Sequence, residues 1–108
     1  MQIRSTWMPS RDGFAHGTVE PYGRTVATPN AVASLSPSAL VECLRRHASG
    51  DWGDLCDEDK ALNEEALTAR DGRRVFSRYD VEGENLYVIT DAPFTDQTVT
   101  TALLAEDY

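Results

Sequence analysis

RRVFSRYDVEGENLYVIT, running from Arg73 to Thr90, decides the fold. Arg73 to Asp80 alternates, with Val75, Ser77 and Tyr79 on one side and Phe76 and Arg78 on the other, which is the period of a β-strand. Glu82-Gly83-Glu84-Asn85 follows as a turn. Leu86 to Thr90 is a nearly continuous β-favouring run that belongs in the centre of a sheet. Asp91-Ala92-Pro93 breaks it, and Thr98 to Leu104, rich in threonine and valine, forms a third strand. Strands joined by short connections predict an antiparallel meander.

Upstream the pattern turns helical. Thr28 then Pro29 is an N-cap followed by proline at the first helical position, where its missing N–H costs nothing, and opens a short helix through Leu35. Ser36 and Pro37 repeat the signal and open a longer helix to about Ala48, in which Leu40, Cys43, Leu44 and His47 form one stripe. Gly50 stops it. Asp57 is a third cap, with Glu58 and Asp59 in a first turn where carboxylates complement the helix dipole. That helix runs to about Arg70, with Leu62, Ala66 and Ala69 on one face and Leu67 off it. Arg24 to Ala27 is a short extended piece. Residues 1–22, interrupted by Pro9, Gly13, Gly17 and Pro21, form an N-terminal arm with Ile3, Trp7 and Phe14 as apolar anchors, and residues 23–108 form a single domain. Helices ahead of strands predict an α+β fold, two or three N-terminal helices packed on one face of a three-stranded antiparallel sheet.

A chain of 108 residues has room for one domain. It carries 10 basic and 18 acidic residues, a formal charge of −8, and the acids are concentrated in the second half. Residues 51–108 hold fifteen acids against five bases, whereas residues 1–50 hold five arginines against three acids. Such a surface repels a phosphate backbone, so direct nucleic-acid binding is not expected. It attracts and steers a basic partner instead. No stretch approaches the ~20 apolar residues of a membrane helix, and Met1 to Pro9 lacks the apolar run of a signal peptide. Cys43 and Cys56 match neither a redox nor a zinc spacing. A cytoplasmic protein with reduced thiols is the expectation.

The most distinctive segment is His47-Ala48-Ser49-Gly50-Asp51-Trp52-Gly53-Asp54-Leu55. Read structurally, it is a stapled connection between two helices. Glycines allow a positive φ, Asp51 and Asp54 accept from neighbouring amides, and Trp52 buries a large ring whose N–H needs one acceptor. Read functionally, His47, Asp51 and Asp54, with Asp57, surround a metal. The spacing is neither that of a calcium loop nor that of the two-histidine zinc helix, so no metal is assigned, and His47 fits better as a packed, hydrogen-bonded core residue. Ser77, Ser49, Cys43 and Cys56 each pair on paper with His47 or His16, without any nucleophile motif. Asp57-Glu58-Asp59, continued by Glu64 and Glu65, is either a solvated helix face or an imitation of DNA phosphates.

GRTVATP (Gly23 to Pro29), HASGDWGDL (His47 to Leu55), DEDKALNEEAL (Asp57 to Leu67), the Arg73–Tyr79 strand, Val88-Ile89-Thr90 and the ending TTALLAEDY form an ordered series. The series resembles a family of small uncharacterised bacterial proteins carried on plasmids and integrated elements, some of them labelled in connection with type I restriction. The resemblance covers residues 23–108 and is most specific at GDWGDL with Asn63 and Ala66-Leu67. It departs at Asp91–Asp96, which is altered and longer, and at Ala105, where the family has proline. A chain this short does not hold the doubly wound sheet of a methyltransferase subunit, so the resemblance implies neighbouring genes of that kind or an accessory acting on host defence. The resulting expectation is a non-enzymatic, acidic interaction protein without a cofactor, modulating restriction or CRISPR by binding a basic protein through Trp52, Asp54, Asp57, Glu58 and Asp59. The alternatives are a small enzyme or metal-binding protein centred on His47, Asp51 and Asp54, and a DNA mimic.

Overall fold

In a computed structural model, which describes residues 23–108, the elements follow in the order β1 (Arg24–Ala27), α1 (Pro29–Ser34), α2 (Pro37–Ala48), α3 (Asp57–Ala69), β2 (Val75–Val81), β3 (Glu84–Asp91) and β4 (Val99–Leu104), closed by a 3-10 turn at Ala105–Asp107. The expected anchors Ile3, Trp7 and Phe14 lie outside the described residues. The fold class is α+β, and the first two helices start where capping chemistry places them. Thr28 Oγ1 accepts from Ala31 N at 3.2 Å and Ser36 Oγ from Ala39 N at 3.2 Å, each followed by proline at the first helical position. At α3 the cap is Cys56, which makes no side-chain bond. Asp57 is instead the first helical residue, and its carboxylate joins those of Glu58 and Asp59 in facing the helix dipole.

The sheet differs from the three-stranded antiparallel expectation. It has four strands in the order β1-β4-β3-β2, with β1 parallel to β4 and the other neighbours antiparallel. Arg24 to Ala27 is extended because it pairs with Val99 to Ala102, a partner 75 residues away that local pattern does not reveal. The β2–β3 turn is also tighter than expected. Glu82 (φ 51°) and Gly83 (φ 78°) alone make it, both left-handed as in a two-residue type I′ hairpin, and Glu84 and Asn85 belong to β3.

The register aligns Val75, Thr90 and Thr100 in one row, Ser77, Val88 and Ala102 in the next, and Tyr79, Leu86 and Leu104 in a third, all on the face covered by the helices. There α1 contributes Ala31 and Leu35, and α2 contributes Cys43 and Leu44, to one core with Tyr79, Leu86, Val88, Ala102 and Leu104. A second cluster joins Trp52, Ala66 and Val75, flanked by Leu55 and Leu67. The α2 stripe is therefore as the periodicity predicts. The α3 face is not: Leu62 (52 % exposed) and Ala69 point outward, and the buried positions are Asn63 and Ala66, with Leu67 half-buried. The sheet's opposite face carries Phe76, Tyr87, Ile89 and Leu103, with Phe76–Tyr87 and Tyr87–Tyr108 packed edge to face.

Candidate functional site

The junction between α2 and α3 brings the distinctive residues against β2. Ser49 ends α2, and Gly50, at φ 87°, turns the chain away. Asp51 N then donates to Arg46 O at 2.9 Å. The Asp51 carboxylate takes Arg46 Nε at 2.8 Å and Gly53 N at 3.1 Å, and this guanidinium holds it below the usual carboxylate range. Arg46 also lies 4.7 Å over the Tyr79 ring, while Tyr79 Oη donates to Asp51 O at 2.5 Å.

From Trp52 to Asp54 the chain runs parallel to β2 and closes its outer edge. Arg78 N donates to Trp52 O at 3.3 Å, Asp54 N donates to Arg78 O at 2.6 Å, and Asp80 N donates to Asp54 Oδ2 at 2.9 Å. One step further along that edge, Asn63 of α3 completes the cover. Its Nδ2 donates to Phe76 O at 2.7 Å and its Oδ1 accepts from Phe76 N at 3.2 Å. An open edge is a template for association with other chains. Here Phe76, Arg78 and Asp80, the residues whose backbone groups point outward, are each engaged. Gly53 is required by this close approach, since a Cβ there would sit 2.2 Å from Arg78 O, and its φ is 76°.

Beneath this cover lies a buried polar chain. His47 is 1 % exposed, its Nδ1 lies 2.6 Å from Ser77 Oγ and its Nε2 2.9 Å from Thr90 Oγ1, and Thr90 Oγ1 lies 2.7 Å from Thr100 Oγ1. The chain links α2 to three strands with hydroxyls whose donor and acceptor roles adapt to the ring. Burial drives the His47 pKa down to about 3, so the imidazole is neutral at pH 7. The Trp52 ring stands edge-on to His47 at 5.6 Å, and its indole N–H donates to Glu64 Oε2 at 2.7 Å.

His47 and Ser77 thus meet, but as core residues. Ser77 and Thr90 are 0 % exposed, which closes the pair to a substrate, and an imidazole with its pKa near 3 is a feeble base at neutral pH. Nor do His47, Asp51 and Asp54 converge on a metal position. The first lies under the sheet, the second is held by Arg46 and Gly53, and the third caps the edge of β2. Among the described residues no group of three or more His, Cys, Asp or Glu side chains is arranged to hold a metal ion. Cys43 is buried, with its thiol pushed up to about 11 by desolvation, and Cys56 is exposed; both are free.

Of the residues expected at a partner surface, Trp52 is enclosed at 4 % exposure and presents no face to solvent. Asp54, Asp57 and Glu58 are exposed and Asp59 is half-buried. Asp57, Glu58 and Asp59 form no ion pair among the described residues, whereas Arg45, Arg46, Arg73, Arg74 and Arg78 each hold a carboxylate. Sequence reasoning overlooked Glu64 as the acceptor for Trp52, although the demand of a buried indole N–H was the signal for one. It also overlooked Thr90 and Thr100, whose signal was hydroxyl side chains in inward phase on central strands. Family models, curated proteins and solved structures, each compared with the chain, contain no match to it. No helix among the described residues is long and apolar enough to cross a membrane.

Proposed function

We propose that the protein is a small acidic accessory protein of the cytoplasm that binds a basic protein partner through the first turn of α3 and the loop before it, Asp54, Asp57, Glu58 and Asp59. The observation that carries this reading is the uneven pairing of charge. The arginines around the junction are matched by carboxylates, while the first-turn acids of α3 keep their charge free of ion pairs among the described residues. Unneutralised carboxylates at a helix start, on a chain of net charge −8, steer a cationic surface towards them. The role of Trp52 in this reading is to hold that loop and helix in place from beneath. The resemblance to mobile-element proteins makes a restriction or CRISPR enzyme of the host the first partner to examine.

The test is a pull-down from host lysate with the wild-type chain and a triple charge reversal, Asp57→Lys with Glu58→Lys and Asp59→Lys. A stoichiometric partner that is held by the wild type, weakened by salt and lost on reversal supports the proposal. A partner kept equally by the reversed protein, or none at all, refutes it. Displacement of the partner by duplex DNA turns the reading towards DNA mimicry.

A further inference from the structure

The two edges of the sheet are treated differently. The β2 edge is closed by Trp52–Asp54 and Asn63, whereas nothing among the described residues pairs with the outer edge of β1. Thr28 N donates to Ala102 O, so by the alternation of a strand Arg24 and Val26 also direct their backbone groups to β4, and those of Thr25 and Ala27 point outward. Beside this edge an apolar groove of about 330 Å³ is lined by Val26, Val32, Leu35, Leu40, Val41 and Leu44 among others. Val32 (58 %) and Val41 (38 %) are exposed there, and the Val26 side chain (38 %), level with Thr101, is exposed on the other face of the strand.

We infer that this edge and groove receive a second copy of the chain, with β1 pairing antiparallel to its counterpart across a two-fold axis. The outward groups of Thr25 and Ala27 set the register. Thr25 exchanges hydrogen bonds with Ala27 of the other copy, Val26 meets Val26 at the axis, and Arg24 stands opposite Thr28. That register is self-complementary in charge, as a two-fold interface requires. Arg24 is exposed and forms no ion pair among the described residues. At the far end of β1, the Thr28 hydroxyl donates to Asp107 at 2.9 Å and Asn30 Nδ2 donates to Glu106 at 3.0 Å, which places two carboxylates where the other copy's Arg24 arrives. Opposed residues of an antiparallel pair share a face, so Arg24 and Thr28 approach on the same side. On the helical side, Val32 and Val41 of the two copies close over the grooves. The result is one continuous eight-stranded sheet in which the β1 edge, unpaired among the described residues of one copy, is paired.

Sedimentation equilibrium of the full chain from micromolar to millimolar concentration tests this. A dimer, at about twice 11.9 kDa, is expected. Val26→Lys places two like charges at the axis and should raise the dissociation constant at least about tenfold. Arg24→Glu should weaken the dimer, and adding Glu106→Arg should restore it. Both sites lie on the surface, so this pair remains a test even if Val26→Lys fails to fold. A monomer throughout overturns the proposal. A dimer indifferent to these substitutions overturns it as well.

Discussion

His47 makes the stability of this protein depend on pH in a way that can be isolated. Its folded-state pKa is about 3, against 6.5 for an unperturbed imidazole, because burial removes the solvent that would stabilise the cation. Between those values the unfolded chain takes up a proton that the folded chain refuses, so the unfolded state gains as pH falls. The contribution is intact above pH 6.5 and is lost from there down towards about 3, at about 1.4 kcal/mol per pH unit. At about pH 4.5 the loss from this residue alone is about 3 kcal/mol, a large share of the ~5–15 kcal/mol that holds a domain together. Urea unfolding of the wild type and His47→Gln at about pH 7.5 and pH 4.5 measures it. The wild type should lose about 3 kcal/mol more than the variant over that interval. Carboxylates held low by their partners, Asp51 by Arg46 and Glu82 by Ser36, also release stability in acid. They are present in both proteins and cancel in the difference. His47→Gln should itself be weaker at neutral pH, since one amide does not span Ser77 and Thr90. If the variant does not fold, the imidazole resonances of the wild type serve instead, and those of His47 should not titrate above about pH 4. Equal acid sensitivity in the two proteins, or a His47 ring titrating near its ordinary value, would refute the reasoning.

Gly53→Ala should cost at least about 2 kcal/mol in chemical denaturation, because the new Cβ collides with Arg78 O, whereas Gly50→Ala, with a similar positive φ and nothing within 4 Å, should cost about 1 kcal/mol. Glu64→Leu leaves the Trp52 indole N–H without its acceptor and should destabilise by about 1–2 kcal/mol, while Glu64→Gln, which keeps a carbonyl there, should cost less than half of that. Asn63→Leu frees the Phe76 N–H and C=O and should cost about 2 kcal/mol and promote association through the uncovered β2 edge, visible as light scattering at concentrations where the wild type stays clear.

Much of the fold was legible because the signals are local. Thr28-Pro29 and Ser36-Pro37 specify helix starts through a side-chain acceptor and a fixed φ, and the α2 stripe follows from 3.6-residue periodicity. The alternation of Val75, Ser77 and Tyr79 against Phe76 and Arg78 separated the two faces of β2, and the structure turns the first set inward. The reading failed where the partner is remote. Leu62 and Ala69 matched Ala66 in helical phase, yet Asn63 took the buried position because the backbone of Phe76 offers an amide-shaped pair of bonds. At the junction, the need for glycine, a buried tryptophan and hydrogen-bonded aspartates could be anticipated, but not that Trp52–Asp54 lies along a strand.

By itself, then, the chain's order of residues determined the helix starts, the hairpin and the two-sided alternation of β2, which depend on neighbours within a turn or two, and the acidic second half, which is a matter of composition. Only the tertiary structure decided that Arg24–Ala27 joins the sheet beside β4, that His47 is locked among Ser77 and Thr90, and that Asp54 caps β2. Each of these rests on a contact between residues tens of positions apart, and hydrogen bonding is satisfied by whatever donor or acceptor packing brings near, whatever its distance along the chain.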